Sequence, residues 1–235
     1  MLWLLVYAAT WAIERYEVAY HLMEILRSRF FVFTREPLLQ SYVYTALDAF
    51  ILKLGVVLFI FLRFFDRRGN FAQSLGLNLS RKEFSTPFFN IYLCVVIGLA
   101  AWEGRDPLFP YFPTALFFHD TALVGNAVVL VSILLVAPVA EEIFFRGFMY
   151  PAFQKSFGVT PAVICTTILF TLVHGPQMKW DIHGLSIIFI SGIFLTLARA
   201  RTGQTAYAMA LHALYNGILT LAGIVKYGLE IGWHA

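Results

Sequence analysis

The feature that most restricts this chain is a succession of apolar stretches, each close to the length of a membrane crossing. They run near Tyr42 to Leu62, Phe84 to Trp102, Thr121 to Phe148, Val159 to His174, Ile182 to Ala198 and Gln204 to Val225. About 20 residues suffice to cross the hydrocarbon core as a helix. In lipid every backbone N–H and C=O must find a partner within the protein, so such stretches predict helices that satisfy their own bonds. The opening "MLWLLVYAATWAI" is shorter. It lacks a basic n-region and a convincing small-residue cleavage site, so it does not read as a removed signal peptide. Either it joins the amphipathic stretch after Glu14 in one long tilted helix, or it enters the membrane separately. The expectation is an all-α polytopic membrane protein, a single helical bundle of about six to eight transmembrane helices. It forms one integral membrane domain over 1–235, with N-terminal helices over 1–120 and a core over 121–225.

Composition agrees. The chain is 60% hydrophobic and 13% charged, whereas soluble domains carry roughly 45–50% apolar and about 25% charged residues. The net charge of +3 comes without a long basic block, which argues against a nucleic-acid surface and for loop charge that orients the protein. Cys94 and Cys165 lie inside apolar runs and read as small core hydrophobes, not as a disulfide.

Orientation follows from the basic residues. The loop holding Arg63, Arg67, Arg68, Arg81 and Lys82 is expected in the cytoplasm, and the loop "EGRDPLFPYFPTALFFHD", with Arg105 among acids, outside. Threading onward puts Lys155 inside, Lys179 outside, and Arg199 with Arg201 inside again. Arg15, Arg27, Arg29 and Arg35 break the alternation, a conflict that an interfacial helix with interspersed glutamates would absorb.

Against this background "EEIFFRG", Glu141 to Gly147, stands out at the end of an apolar run. Charged and imidazole groups in the hydrocarbon region cost at least a few kcal/mol each and persist where they face one another or a wet cavity. On a helix Glu142 and Arg146 are four apart and pair on one face, while Glu141 points about 100° away. Glu142 is therefore expected to be neutralised by Arg146, and Glu141 to face a cavity. Desolvation beside a second acid suits Glu141 to general-base work. Pro138, about one turn earlier, removes a backbone donor and is expected to kink the helix near the acids.

Two later spans add polar groups at helical spacing. "FTLVHG" sets Phe170 and His174 on one face, and "HALYNG" sets His212 and Asn216 on one face. The His212–Asn216 pair offers converging donors, as an oxyanion hole requires. Glu141 as base, His174 as imidazole and the His212–Asn216 pair would together hold a water against a carbonyl. Binding of zinc by Glu141, His174 and His212 is the second mechanism these residue types allow.

Blander readings fit the other polar residues. His183 beside Trp180 and Asp181 reads as interfacial, Asp48 and Lys53 as a structural pair or snorkelling side chains, and Asn126 as a helix contact. His21, His119 and His234 take no role. The chain holds no H-E-x-x-H, G-x-S-x-G or G-x-G-D motif. Ser186 after Gly184 is a weak echo of a rhomboid-type serine and reads as packing.

"EEIFFRG", "FTLVH" and "HALYN", in that order on successive late spans, resemble the E-E-x-x-x-R, F-x-x-x-H and H-x-x-x-N motifs of the CPBP intramembrane proteases. That family includes the Ras-converting CAAX prenyl proteases and bacterial Abi-type proteins. The resemblance covers about Val136 to Gly217, while the preceding part of the chain resembles nothing nameable. It implies an all-helical core of about eight helices and a glutamate-dependent, metal-independent peptidase that needs no cofactor. Glu141 would activate water with His174, His212 and Asn216 would steady the oxyanion, and Glu142, Arg146 and Phe170 would support the site. The implied partner is a protein or peptide with a lipidated or membrane-anchored C-terminal region, in contact with membrane lipids and not with nucleic acid. The short chain without organelle signals fits a prokaryotic plasma-membrane protein. A non-proteolytic immunity or scaffold protein of the same family is the alternative, and a transporter would need inverted repeats that the sequence does not show.

Overall fold

The computed structural model describes residues 55, 58, 71–103, 130–175, 178 and 180–231, and all its regular elements are helical. The expected span near Tyr42 to Leu62 lies outside them apart from Gly55 and Leu58, as do the N-terminal stretch, Asp48, Lys53, Arg105, Asn126 and Lys179.

Five long elements follow. α1 is Pro87–Glu103. α2 is a continuous rod over 132–157, built from a π segment Ser132–Val136, an α segment Ala137–Glu142, a second π segment Ile143–Met149 and an α segment Tyr150–Phe157. α3 is Val159–Val173, α4 is Ile182–Thr202 and α5 is Thr205–Ile231. The all-helical expectation holds for the described residues. The helix count is reached only in part: Ile182–Thr202 and Thr205–Lys226 are long and apolar enough to cross a membrane, whereas Pro87–Trp102 and Val159–Val173 are apolar but shorter. At 1.5 Å per residue, the 15 residues of α3 reach only about 22 Å, less than the roughly 30 Å hydrocarbon core.

The main core joins α1, α4 and α5. Tyr92, Val96, Leu99 and Ala100 of α1 meet Ile187, Leu195 and Ala198 of α4, and Tyr207, Leu211, Tyr215 and Leu219 of α5. The α5 set recurs every fourth residue, the spacing that keeps side chains on one helical face. Tyr92 also donates its hydroxyl to the Leu211 carbonyl at 2.9 Å, so its one polar atom is satisfied inside the core.

A turn at one end fixes the start of α5. Gly76 sits at φ +68, and a Cβ there would collide with the Gly203 carbonyl. This close approach lets the Gly76 carbonyl accept from Thr205 and Ala206, two of the backbone N–H groups that a helix N-terminus leaves without partners. The Ser80 N–H donates to Gln204 Oε1 and the Tyr207 hydroxyl to the Glu83 carbonyl. The segment holding Arg81 and Lys82 therefore lies beside the α4–α5 turn that follows Arg199 and Arg201, as the charge-based orientation expects of groups on one side of a membrane.

Pro138 lies between two π segments, and the Ala137 N–H donates to the Ser132 carbonyl. One expectation needs correction. Cys94 is exposed and Cys165 half-buried, so neither is a core residue. α1 is apolar on every side, and hydropathy cannot choose the buried face of such a helix. The Ser186 hydroxyl donates to Ile182 within its own helix, and His183 packs edge-on against Trp102 at 4.7 Å.

Candidate active site

The site is built where α2, α3 and α5 meet, with α4 behind it. Glu142 and Arg146 are both fully buried, joined by Arg146 Nη1 donating to Glu142 Oε1 at 2.8 Å. The one-turn pairing expected from the sequence is present even though Arg146 lies in a π segment. The rest of the guanidinium is also held. Nε donates to Thr196 Oγ1 at 3.2 Å, Nη2 to the Gly192 carbonyl at 3.1 Å, and Cζ stands 4.2 Å from the centre of the Phe170 ring. A buried charge survives only when its donors are matched in this way.

Glu142 has a second partner that the sequence did not reveal. His212 Nδ1 lies 2.8 Å from the same Oε1. A carboxylate only accepts, so Nδ1 carries the proton. The His212 ring then turns Nε2 toward Glu141, 3.9 Å from its Oε2. His174 Nε2 approaches the same oxygen at 3.7 Å. Its Nδ1 is 2.7 Å from the Phe170 carbonyl and must donate there, which leaves the Nε2 lone pair facing Glu141 when the ring is neutral. One carboxylate oxygen thus faces two imidazole nitrogens whose rings are each fixed from behind. Glu141 and His174 keep partial side-chain exposure, 14% and 16%, while Glu142 keeps none. The two adjacent acids separate as the helical spacing predicts.

Phe170 is the hub of the cluster. Its ring lies 4.6 Å from the His174 ring, 6.0 Å from His212 and 5.2 Å edge-on from Phe145, in addition to carrying Arg146. Behind it, a Cβ added at Gly192 would stand 3.1 Å from Phe170 Cδ1 and 3.4 Å from Thr167 Cγ2. Helices in lipid gain by close packing through small residues, and this glycine lets α4 approach α3. Gly192→Ala asks the ring to yield by a few tenths of an ångström, and Gly192→Val does not fit. Thermal unfolding should show Gly192→Val less stable than wild type by about 1–3 kcal/mol, the usual cost of overpacking, with Gly192→Ala in between.

Asn216 makes a contact that the spacing did not reveal. Its Nδ2 donates to the Ile133 carbonyl at 2.8 Å, which engages one of its two N–H donors. Thr196, which accepts from Arg146 and donates to the Gly192 carbonyl at 2.8 Å, is a site residue the sequence reading passed over. Only its distance from Arg146 in space, not its spacing along α4, marks it. Among the described residues no group of three or more His, Cys, Asp or Glu side chains is arranged to hold a metal ion.

A carboxylate facing two oriented imidazoles can take a proton from a water held among them. Residues 123–218 match the family described as Type II CAAX prenyl endopeptidase Rce1-like, so the resemblance to the CPBP proteases holds over this segment. An uncharacterised 24.3 kDa protein of Escherichia coli is 29% identical over 97 residues, 40% of this chain. The chain covers 44% of that relative's length. No solved structure matches the chain.

Proposed function

We propose that the protein is an intramembrane endopeptidase of the glutamate type, hydrolysing a peptide bond near the lipidated or membrane-anchored C-terminal part of another protein. The observation that carries this reading is the convergence of His174 Nε2 and His212 Nε2 on Glu141 Oε2, at 3.7 and 3.9 Å. These gaps are too long for direct hydrogen bonds and suit a bridging water. Such a water gives one hydrogen to Glu141 and the other to the His174 lone pair, leaving its own lone pair for the scissile carbonyl. Glu141 takes the proton as the C–O bond forms and returns it to the departing amine as the C–N bond breaks. His212 Nε2 donates to the developing oxyanion when its ring carries both protons, with Glu142 behind it to balance the charge.

The Rce1-like match supports the reaction class and a substrate with a prenylated tail. The two span-length helices support placement in a membrane, and we assign a prokaryotic plasma membrane and contact with its lipids.

Purified protein in detergent, given matched tail peptides with and without a prenyl group, tests the reading. Wild type should cleave, and His174→Ala should lose about 10²–10⁴-fold, the usual worth of general acid–base assistance. Near wild-type cleavage by His174→Ala would overturn the assignment. Chelators should leave the rate unchanged. A loss with phenanthroline that added zinc restores would establish a metal mechanism on the same side chains instead.

A further inference from the structure

Pro138 and Asn216 are far apart in sequence, but the backbone between them poses one problem. Ala137 donates its N–H to the Ser132 carbonyl, five residues back. The Ile133 carbonyl therefore loses the donor it would have in an α-helix. Its donor in a π-helix would be residue 138, and proline has no N–H to give. A backbone carbonyl inside a membrane protein without a donor costs free energy comparable to a lost hydrogen bond. Asn216 Nδ2 fills that place at 2.8 Å. Nearby, a Cβ on Gly217 would come within 3.9 Å of Leu134, so α5 runs close against this part of α2.

We propose that Asn216 is a positioning residue: its amide supplies the hydrogen bond that Pro138 removes, and so fixes α2 against α5 just ahead of its acids. The bond lies one helical turn beyond His212 on α5 and two turns before Glu141 on α2. It ties the two helices next to the level at which His212 must reach both Glu142 and Glu141. A sliding or rotation of either helix by an ångström would break the 2.8 Å contact between His212 Nδ1 and Glu142 Oε1. Through this bond Asn216 acts on the reaction by way of His212 and the acids, and it uses one of the amide's two N–H donors.

A double-mutant cycle on the full chain separates these roles. Asn216→Ala removes the side-chain donor. Pro138→Ala restores a backbone N–H at 138, which lets the ladder close onto Ile133 without help. Asn216→Ala alone should lower kcat by about tenfold or more, the size of one unmet buried acceptor, with KM little changed, and should lower Tm. Asn216→Asp, nearly the same shape but without an amide N–H, should behave like Asn216→Ala. In the Pro138→Ala background, Asn216→Ala should cost less than about threefold in kcat and little in Tm, because the carbonyl is already satisfied. Equal losses of both kcat and Tm in the two backgrounds would overturn the proposal.

The kinetic half rests on the peptidase reading, whereas the Tm half does not. If wild type cleaves no peptide, or Pro138→Ala is itself inactive, the Tm cycle still decides: additive Tm losses would refute the clamp and strongly non-additive ones would uphold it.

Discussion

On the proposed reading, Glu141→Gln is expected to lower the rate of cleavage by about 10²–10⁴-fold, while the protein melts at or above the wild-type temperature. Both halves come from the same geometry. Glu141 Oε2 is the oxygen on which the two imidazoles converge, so the amide, which cannot accept the water's proton, leaves the attack without a base. Yet Glu141 keeps 14% side-chain exposure, whereas Glu142 keeps none. Groups placed for chemistry are often a liability to stability, so replacing this charge by an amide should not weaken the fold. Cleavage of a tail peptide and thermal unfolding, measured on one preparation, check the result. A large drop in Tm with Glu141→Gln would sink the division between the two acids.

Glu142→Gln and Arg146→Ala show the opposite balance, losing about 3–5 kcal/mol of stability, the usual result of removing one partner of a buried ion pair. In Glu142→Gln the amide oxygen can still accept from Arg146 and His212, so the hydrogen bonds survive and only the counter-charge disappears. Glu142 Oε2 has no hydrogen-bond partner among the described residues, so it is the position free to take the new amide group. The fully buried guanidinium is left uncompensated. Arg146→Ala goes further, stripping partners from Thr196 and the Gly192 carbonyl and removing the cation from the Phe170 ring. The expected readout is a fall in Tm and in yield of folded protein for both variants, with Arg146→Ala the more severe. Activity should fall too, because Glu142 is what orients His212. Equal destabilisation by Glu141→Gln and Glu142→Gln would refute the assignment of separate roles while leaving the hydrolytic reading standing.

How much of this was legible beforehand depended on whether a relation was local in the chain. The helical class followed from apolar length, because lipid leaves a backbone few alternatives. The Glu142–Arg146 pair and the Phe170–His174 contact followed from four-residue spacing, which a helix converts directly into a shared face. The relations that make a site did not. Glu142 to His212 crosses 70 residues, Arg146 to Thr196 crosses 50, and Asn216 to Ile133 crosses 83. Each depends on how far one helix is rotated about its axis against another. In soluble helices an apolar stripe announces that rotation, but helices apolar all round carry no such mark.

Asn216 shows the difference most clearly. Its spacing from His212 suggested a pair of donors on one face. What the spacing could not show is that a proline and a π segment on a different helix leave a carbonyl that takes one of its N–H groups. By itself the sequence determined that the described residues are helical and which of the two adjacent glutamates pairs with Arg146 and is buried. Only the tertiary structure decided that His212 stands between those glutamates and that Asn216 holds the backbone behind them, because hydrogen bonds between helices are fixed by packing and not by spacing along the chain.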